Sequence, residues 1–288
     1  MPIRTLAVLG AGTMGHGIAH AAIAGGYVTR LYDVNHAAVA RGTASVEAIL
    51  RKSVELGKAA AGDAESMLRR LTATSSLAEA LQDADFVIEA APERIDLKLA
   101  LFAQIEQHAP AAAVIASNTS ALSITEMAGS LKQPSRAAGM HFFNPVHKMK
   151  LIEIVRGRDT SNATLDVVEQ VARRMGKETV LVRESPGFIT TRVNASLGNE
   201  AFYMLMDGVA SARDIDKALK LGLNHPMGPF ELVDLVGLDT RLSILQYLHA
   251  SLGDKYKPCP LLEEYVKQGR LGKKVGRGVY DYPPAAAS

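Results

Sequence analysis

Cysteine is close to absent from this sequence. Cys259 stands alone among 288 residues, so an intramolecular disulfide is excluded and reducing surroundings are expected. A surplus of one charge is missing too: 32 Lys and Arg face 30 Asp and Glu, which argues against a nucleic acid or other polyanionic partner. The sequence pI near 8.6 comes from that small excess and not from a basic face. No apolar run approaches the roughly 18 residues that a membrane helix needs. A strand pattern begins by Ile3, leaving no room for a signal peptide, so a cytoplasmic protein is expected. Internal repeats are lacking, and the only low-complexity stretch is an irregular tail at 283–288. No metal site is expected.

What is present begins at Thr5. Leu6, Ala7, Val8 and Leu9 form an apolar run of the kind found in a parallel strand buried on both faces. Gly10, Gly12 and Gly15 follow in G-x-G-x-x-G spacing, and Met14, Ile18, Ala22 and Ile23 then recur at helical intervals until Gly25 and Gly26. In this fingerprint the first glycine permits the turn, the second admits a pyrophosphate, and the third lets helix and strand pack closely. The helix N-terminus, with Thr13 and Met14 in its first turn, presents free N–H groups to phosphate. A second strand ends at Asp33, 23 residues after Gly10, where a carboxylate accepts the adenosine ribose hydroxyls. Asp33 would also repel a 2′-phosphate, so NAD is expected over NADP. Arg30 alternates away from it along the strand. A plainer role for Asp33, as a helix cap before Asn35, is compatible with the first.

Past Asp33 a helical region spans 36–71, with Gly57 and Gly62 as its expected breaks and an arm as one outcome. Strands are expected at 72–74, 85–89 and 114–117, with an amphipathic helix at 95–105 carried by Ile95, Leu99, Phe102 and Ile105. Further strands at 137–143, 151–155 and 179–182 flank a helix at 163–175. Alternation of this kind predicts an α/β fold with a Rossmann-type, mostly parallel, doubly wound sheet. Beyond Ser185 the pattern turns helical, at 188–207, 211–221, 230–252 and 259–268. The expected division is therefore 1–184, a Rossmann-like domain, and 185–288, a smaller all-helical domain.

Polar residues gather where the expected strands end, the side of an open α/β sheet on which ligands bind. Glu93 and Lys98 follow one strand and could meet a cofactor's ribose or phosphate; alone, a first-turn helix acid and a surface lysine describe them as well. Ser117, Asn118, Thr119 and Ser120 follow the next. They could cap a helix, where Ser123 and Glu126 form a capping box, or supply donors to a substrate oxygen. His141 and Asn144 close a third strand. Glu153 lies twelve residues after His141, in the strand returning from an excursion at 144–150, which can bring carboxylate and imidazole together. A carboxylate would fix the histidine tautomer and stabilise the imidazolium formed when the ring takes a proton. Oxidation of a hydroxyl has this need, with a base removing the proton as hydride leaves for a nicotinamide.

These stretches together resemble the L-3-hydroxyacyl-CoA dehydrogenases of the short-chain, 3-hydroxybutyryl-CoA type. The likeness runs through Gly10–Gly15, Asp33, Glu89 to Glu93 with Lys98, Ser117 to Ser120, His141 to Pro145 and Met149 to Glu153. It continues through Ser185 to Phe188, Asn224 to Pro229 and Gly272 to Tyr280, so it covers the chain in order. It implies His141 as catalytic base, Glu153 as its orienting carboxylate, and Ser120 in contact with both substrate oxygen and cofactor. Asp33, Glu93, Lys98 and Lys274 would touch NAD, with Asn144 on the substrate side. It further implies an acyl-CoA between the domains and a homodimer built through the helical domain. The family's P-G-F-I-x-N-R run reads Pro186 to Arg192 here with Thr191 in place of the asparagine. Thr191 is then expected at the substrate, with Asn194 one turn on as its support. The family's CoA-contacting serine and lysine have no match in 36–71. Two other readings stand beside this one: a dehydrogenase of a CoA-free hydroxy acid, and a non-catalytic relative, which intact His141 and Glu153 oppose.

Overall fold

The computed structural model describes residues 3–283; the expected tail lies outside them beyond residue 283. The chain divides into two compact units, Met1–Ser185 and Pro186–Ser288. In the first, β1 (Thr5–Leu9), β2 (Val28–Tyr32), β3 (Leu71–Thr74), β4 (Phe86–Glu89), β5 (Val114–Ser117), β6 (Ala137–Phe142), β7 (Leu151–Arg156) and β8 (Glu178–Arg183) make one sheet. Its order is β3-β2-β1-β4-β5-β6-β7-β8, parallel throughout except between β6 and β7. This is the Rossmann-type, doubly wound arrangement, with the strand order reversing beside β1.

The helices of this unit are α1 (Thr13–Ala24), α2 (His36–Glu55), α3 (Ala61–Leu68), α4 (Leu77–Leu81), α5 (Ile95–His108), α6 (Ile124–Ala128) and α7 (Asn162–Arg174). The central strands are apolar because both faces are covered: Leu6, Val8, Phe86, Ile88 and Ala116 are buried with Ile18, Ala22 and Ile23 of α1. Burying each large side chain is worth about 1.5–3 kcal/mol. The 36–71 region breaks at Gly57, which takes a left-handed φ of 66°. Gly62 does not break it and lies inside α3. Nor is α2 a free arm along its whole length. Gly42, Val46 and Leu50 are buried, and a Cβ on Gly42 would meet the Ala11 carbonyl oxygen at 2.8 Å.

The second unit contains α8 (Thr190–Met206), α9 (Ala212–Gly222), α10 (Pro229–Val236), α11 (Leu238–Leu252) and α12 (Pro260–Lys267). Its core joins Phe202, Phe230, Val233, Leu238, Leu245 and Leu248, with the two phenylalanine rings edge-to-face at 5.2 Å. The expected single helix over 230–252 is two. Gly237 takes φ 107°, a conformation that L side chains rarely adopt, and the chain turns there. Buried carboxylates brace these helices. Asp216 accepts from the backbone N–H groups of Phe230 and Glu231 and from the Tyr280 hydroxyl, while Asp234 accepts from Val279 N, Tyr280 N and the Tyr282 hydroxyl.

Candidate active site

The turn after β1 assigns its three glycines different roles. A Cβ on Gly10 would lie 2.6 Å from the Ala90 carbonyl oxygen, and one on Gly15 would lie 1.6 Å from the Gly10 carbonyl oxygen. Both are required by the protein's own packing. A Cβ on Gly12 would meet nothing within 4 Å, so no protein neighbour demands a glycine there. Gly12 also caps α1 without a side-chain hydrogen bond, which leaves the N–H groups near Thr13 and Met14 open to an anion. The residues present therefore fit the pyrophosphate of a dinucleotide. Asp33 stands beside this turn. Its Oδ2 accepts from Ala11 N at 2.9 Å and its Oδ1 from Asn35 N at 3.1 Å, while Asn35 itself caps α2. Arg30 turns away and donates to the Glu79 carbonyl and to Asp83. A cavity of about 250 Å³ opens next to Asp33, lined by Tyr32, Val34, Pro92, Leu97 and Leu101 among others, with apolar walls suited to a planar base. Burial first, then the Asp33 carboxylate, push the Tyr32 phenol pKa upward.

At the ends of β4 and β5 the polar residues form one network. Glu89, fully buried, accepts from Lys98 Nζ at 2.6 Å, from Ser117 Oγ at 2.5 Å and from Ala91 N at 2.6 Å. Lys98 is not the surface lysine that the sequence alone allows. It is 1% exposed, and its other donors serve the Ala91 carbonyl at 3.1 Å and Glu93 at 3.5 Å. Glu93 in turn accepts from Thr119 Oγ1, Ser120 N and Ala121 N at 2.6, 2.8 and 3.3 Å. Four-residue succession at 117–120 thus serves the fold for the most part. Asn118 accepts from Phe142 N and ties β5 to the end of β6. Ser123 caps α6 by accepting from Glu126 N, one half of the expected capping box.

Antiparallel pairing of β6 with β7 sets His141 opposite Glu153 in register. The imidazole Nδ1 lies 2.7 Å from Glu153 Oε2, and both side chains are buried, Glu153 completely. Phe143 packs its ring 4.6 Å from the imidazole. Asn144 follows, exposed, joined to Pro145 by a cis peptide bond. Twelve residues of separation become one cross-strand pair, as a hairpin-like return requires.

The remaining predicted residues lie in the second unit. Thr191 and Asn194 occupy the first turn and the next of α8, both half-buried, and neither side chain makes a hydrogen bond among the described residues. Lys274 is paired with both carboxylate oxygens of Asp239 at 2.6 Å. Sequence reasoning missed Glu89 as the hub of the β4–β5 network and missed the cavity walls. An acid closing the all-apolar run Phe86-Val87-Ile88 was the available signal for the first; the cavity is assembled from separate turns and left none.

Comparison with known proteins gives a consistent result. A family profile described as 3-hydroxyacyl-CoA dehydrogenase, NAD binding domain, matches residues 5–185, and one described as 3-hydroxyacyl-CoA dehydrogenase, C-terminal domain, matches residues 187–282. A relative named a probable 3-hydroxybutyryl-CoA dehydrogenase, from Bacillus subtilis, is 47% identical over 98% of both chains. The 3-hydroxybutyryl-CoA dehydrogenase of Bradyrhizobium diazoefficiens is 41% identical over 97% of this chain and 96% of its own. The crystal structure of (S)-3-hydroxybutyryl-CoA dehydrogenase from Ralstonia eutropha superposes with a TM-score of 0.95 at 42% identity, covering 98% of this chain and all of that one. The chain belongs to the 3-hydroxyacyl-CoA dehydrogenase family, an NAD-dependent enzyme whose first unit is the family's NAD-binding domain.

Proposed function

We propose that the protein interconverts (S)-3-hydroxyacyl-CoA and 3-oxoacyl-CoA, with a short acyl chain of the 3-hydroxybutyryl type. The observation that carries this reading is the buried His141–Glu153 pair at the end of β6. The relatives named 3-hydroxybutyryl-CoA dehydrogenase support the substrate class. Bound NAD supplies the hydride acceptor. Glu153 receives the Nδ1–H of His141, which holds the ring in one tautomer and directs its Nε2 at the alcohol proton. The same carboxylate stabilises the imidazolium once the proton is taken, and in the reverse direction that proton returns to the oxygen. Ser120 and Asn144 orient the substrate oxygen, and Ser120 also touches the cofactor. Glu93, held by Lys98, by the Thr119 hydroxyl and by the Ser120 and Ala121 N–H groups, borders the cofactor, with Lys274 as a further contact from the second unit.

Thr191 takes the place of the family's asparagine as a single donor, with Asn194 supporting it; their unspent hydrogen-bonding groups favour this assignment. Asp33 selects NAD by accepting ribose hydroxyls. A cytoplasmic homodimer formed through the second unit completes the reading. Exposed Val193, Met206, Val209, Leu221 and Leu223 on that unit support the dimer. No helix among the described residues is long and apolar enough to cross a membrane. The test is reduction of acetoacetyl-CoA against free acetoacetate, each with NADH and with NADPH. Acetoacetyl-CoA with NADH should have the highest kcat/KM by a wide margin. Equal use of acetoacetate would move the substrate to a CoA-free acid, and equal use of NADPH would remove the role given to Asp33.

A further inference from the structure

Between His141 and Glu153 the chain leaves β6 at Phe143 and re-enters the sheet at Leu151. Two carbonyls of this loop, those of Val146 at 2.5 Å and Met149 at 2.8 Å, accept from the Nζ of Lys177. Lys177 stands just ahead of β8, after the left-handed Gly176 that follows α7. It is buried, no carboxylate pairs with it among the described residues, and burial pulls its ammonium pKa down. A buried cation is costly unless its donors are satisfied, and here loop carbonyls satisfy them. A methionine would fill the same space without that cost. The charge is therefore spent on the loop.

The loop is held on its other side as well. A Cβ on Gly17 of α1 would come within 2.9 Å of the Val146 side chain, so the missing side chain is the notch in which Val146 sits. At the head of the loop, Phe143 rests its ring on the His141 imidazole. Lys177 thus fixes the loop at residues 146 and 149, and Phe143 at the head of the same loop lies against the imidazole.

We infer that Lys177 is a positioning residue: by clamping the 143–150 loop it presses Phe143 against His141 and holds the imidazole in line for proton transfer. This rests on the reading of His141 as the proton acceptor. The β6–β7 ladder pairs 139–142 with 152–155 and does not use Lys177, so the effect should fall on turnover more than on the fold. In Lys177→Met, kcat should drop about 10- to 100-fold, the cost of a small misplacement of a catalytic group, while the KM for NADH stays within about threefold. The exposed Lys148 and Lys150 should become trypsin cleavage sites in the same variant, in a limited digest that leaves the wild-type loop whole. Should Lys177→Met fail to fold, Phe143→Leu interrupts the same route at its other end and should lower kcat with an unchanged KM for NADH. Wild-type kcat in a folded Lys177→Met, or in Phe143→Leu, overturns the inference. His141→Ala in the same assay separates the two claims. If it is inactive while Lys177→Met keeps wild-type turnover, only the clamp fails; if His141→Ala keeps wild-type turnover, the reading of the base fails first.

Discussion

The candidate residues of the first unit and those of the second differ in how far the fold has already used them. Asp33, Glu93, Lys98 and His141 each hold at least one strong hydrogen bond to the backbone or to a buried partner. Thr191 and Asn194 hold none among the described residues, although both sit on a regular helix beside a packed core. The contrast teaches that the first unit fixes its candidate charges through its own fold, Glu93 and Lys98 in the network at the ends of β4 and β5 and His141 across the β6–β7 pair. On α8, Arg192, Ser196 and Asn199 are likewise spent on the fold, and the Thr191 and Asn194 side chains are the ones that gain no hydrogen bond from it among the described residues. Substitutions within the Glu89–Lys98–Glu93 network should therefore cost stability, and substitution of Thr191 should cost catalysis.

Glu89→Leu should break the first half of this comparison most severely. It strands the Lys98 ammonium in a site where it is 1% exposed, and removing one partner of a buried ion pair costs about 3–5 kcal/mol. Denaturant unfolding measures it, and Glu89→Leu with Lys98→Met should recover much of the loss, because a buried pair replaced by apolar residues is close to neutral. Thr191→Val tests the other half. It should lower kcat/KM for acetoacetyl-CoA by about 2–4 kcal/mol worth of transition-state stabilisation and leave the unfolding midpoint nearly unmoved. An unaffected Thr191→Val alongside a crippled Asn194→Ala would shift the contact by one turn.

His20 sharpens the comparison at acid pH. Burial, followed by the nearby His147, Lys177 and His16, holds the His20 pKa down to about 4, from an ordinary value of 6.5. The folded state therefore favours neutral His20 and the unfolded state takes the proton first. This contribution to stability is full above pH 6.5 and is lost as pH falls through 4, by roughly 3 kcal/mol in all. His20→Gln should flatten that slope in thermal unfolding followed from pH 7 to pH 4.5, whereas a slope identical to wild type would place the acid sensitivity elsewhere.

Much of this was legible in the sequence where function depends on local spacing. The glycine turn, Asp33 at the end of β2, and the strand-helix alternation follow from short-range pattern. The His141–Glu153 pair was legible because the two strands are consecutive and return on each other. The burial of Lys98 against Glu89 was not, since that partner sits nine residues away across a strand-to-helix turn, and burial of a lysine has no composition signal. Lys177 reaches its carbonyls across 28 and 31 residues, and nothing in the sequence marks it. The break at Gly237 was missed because the apolar periodicity runs through it; only the backbone angle separates α10 from α11.

On the proposed reading His141 takes and returns the proton and has no part in holding the cofactor. Measuring NADH affinity by fluorescence titration and acetoacetyl-CoA turnover on the same preparation of His141→Ala tests it most directly. The account predicts a kcat lower by about 10²–10⁴-fold, the usual contribution of general acid–base catalysis, with NADH affinity within about threefold of wild type. Near wild-type turnover would contradict it, as would loss of NADH binding in parallel with activity.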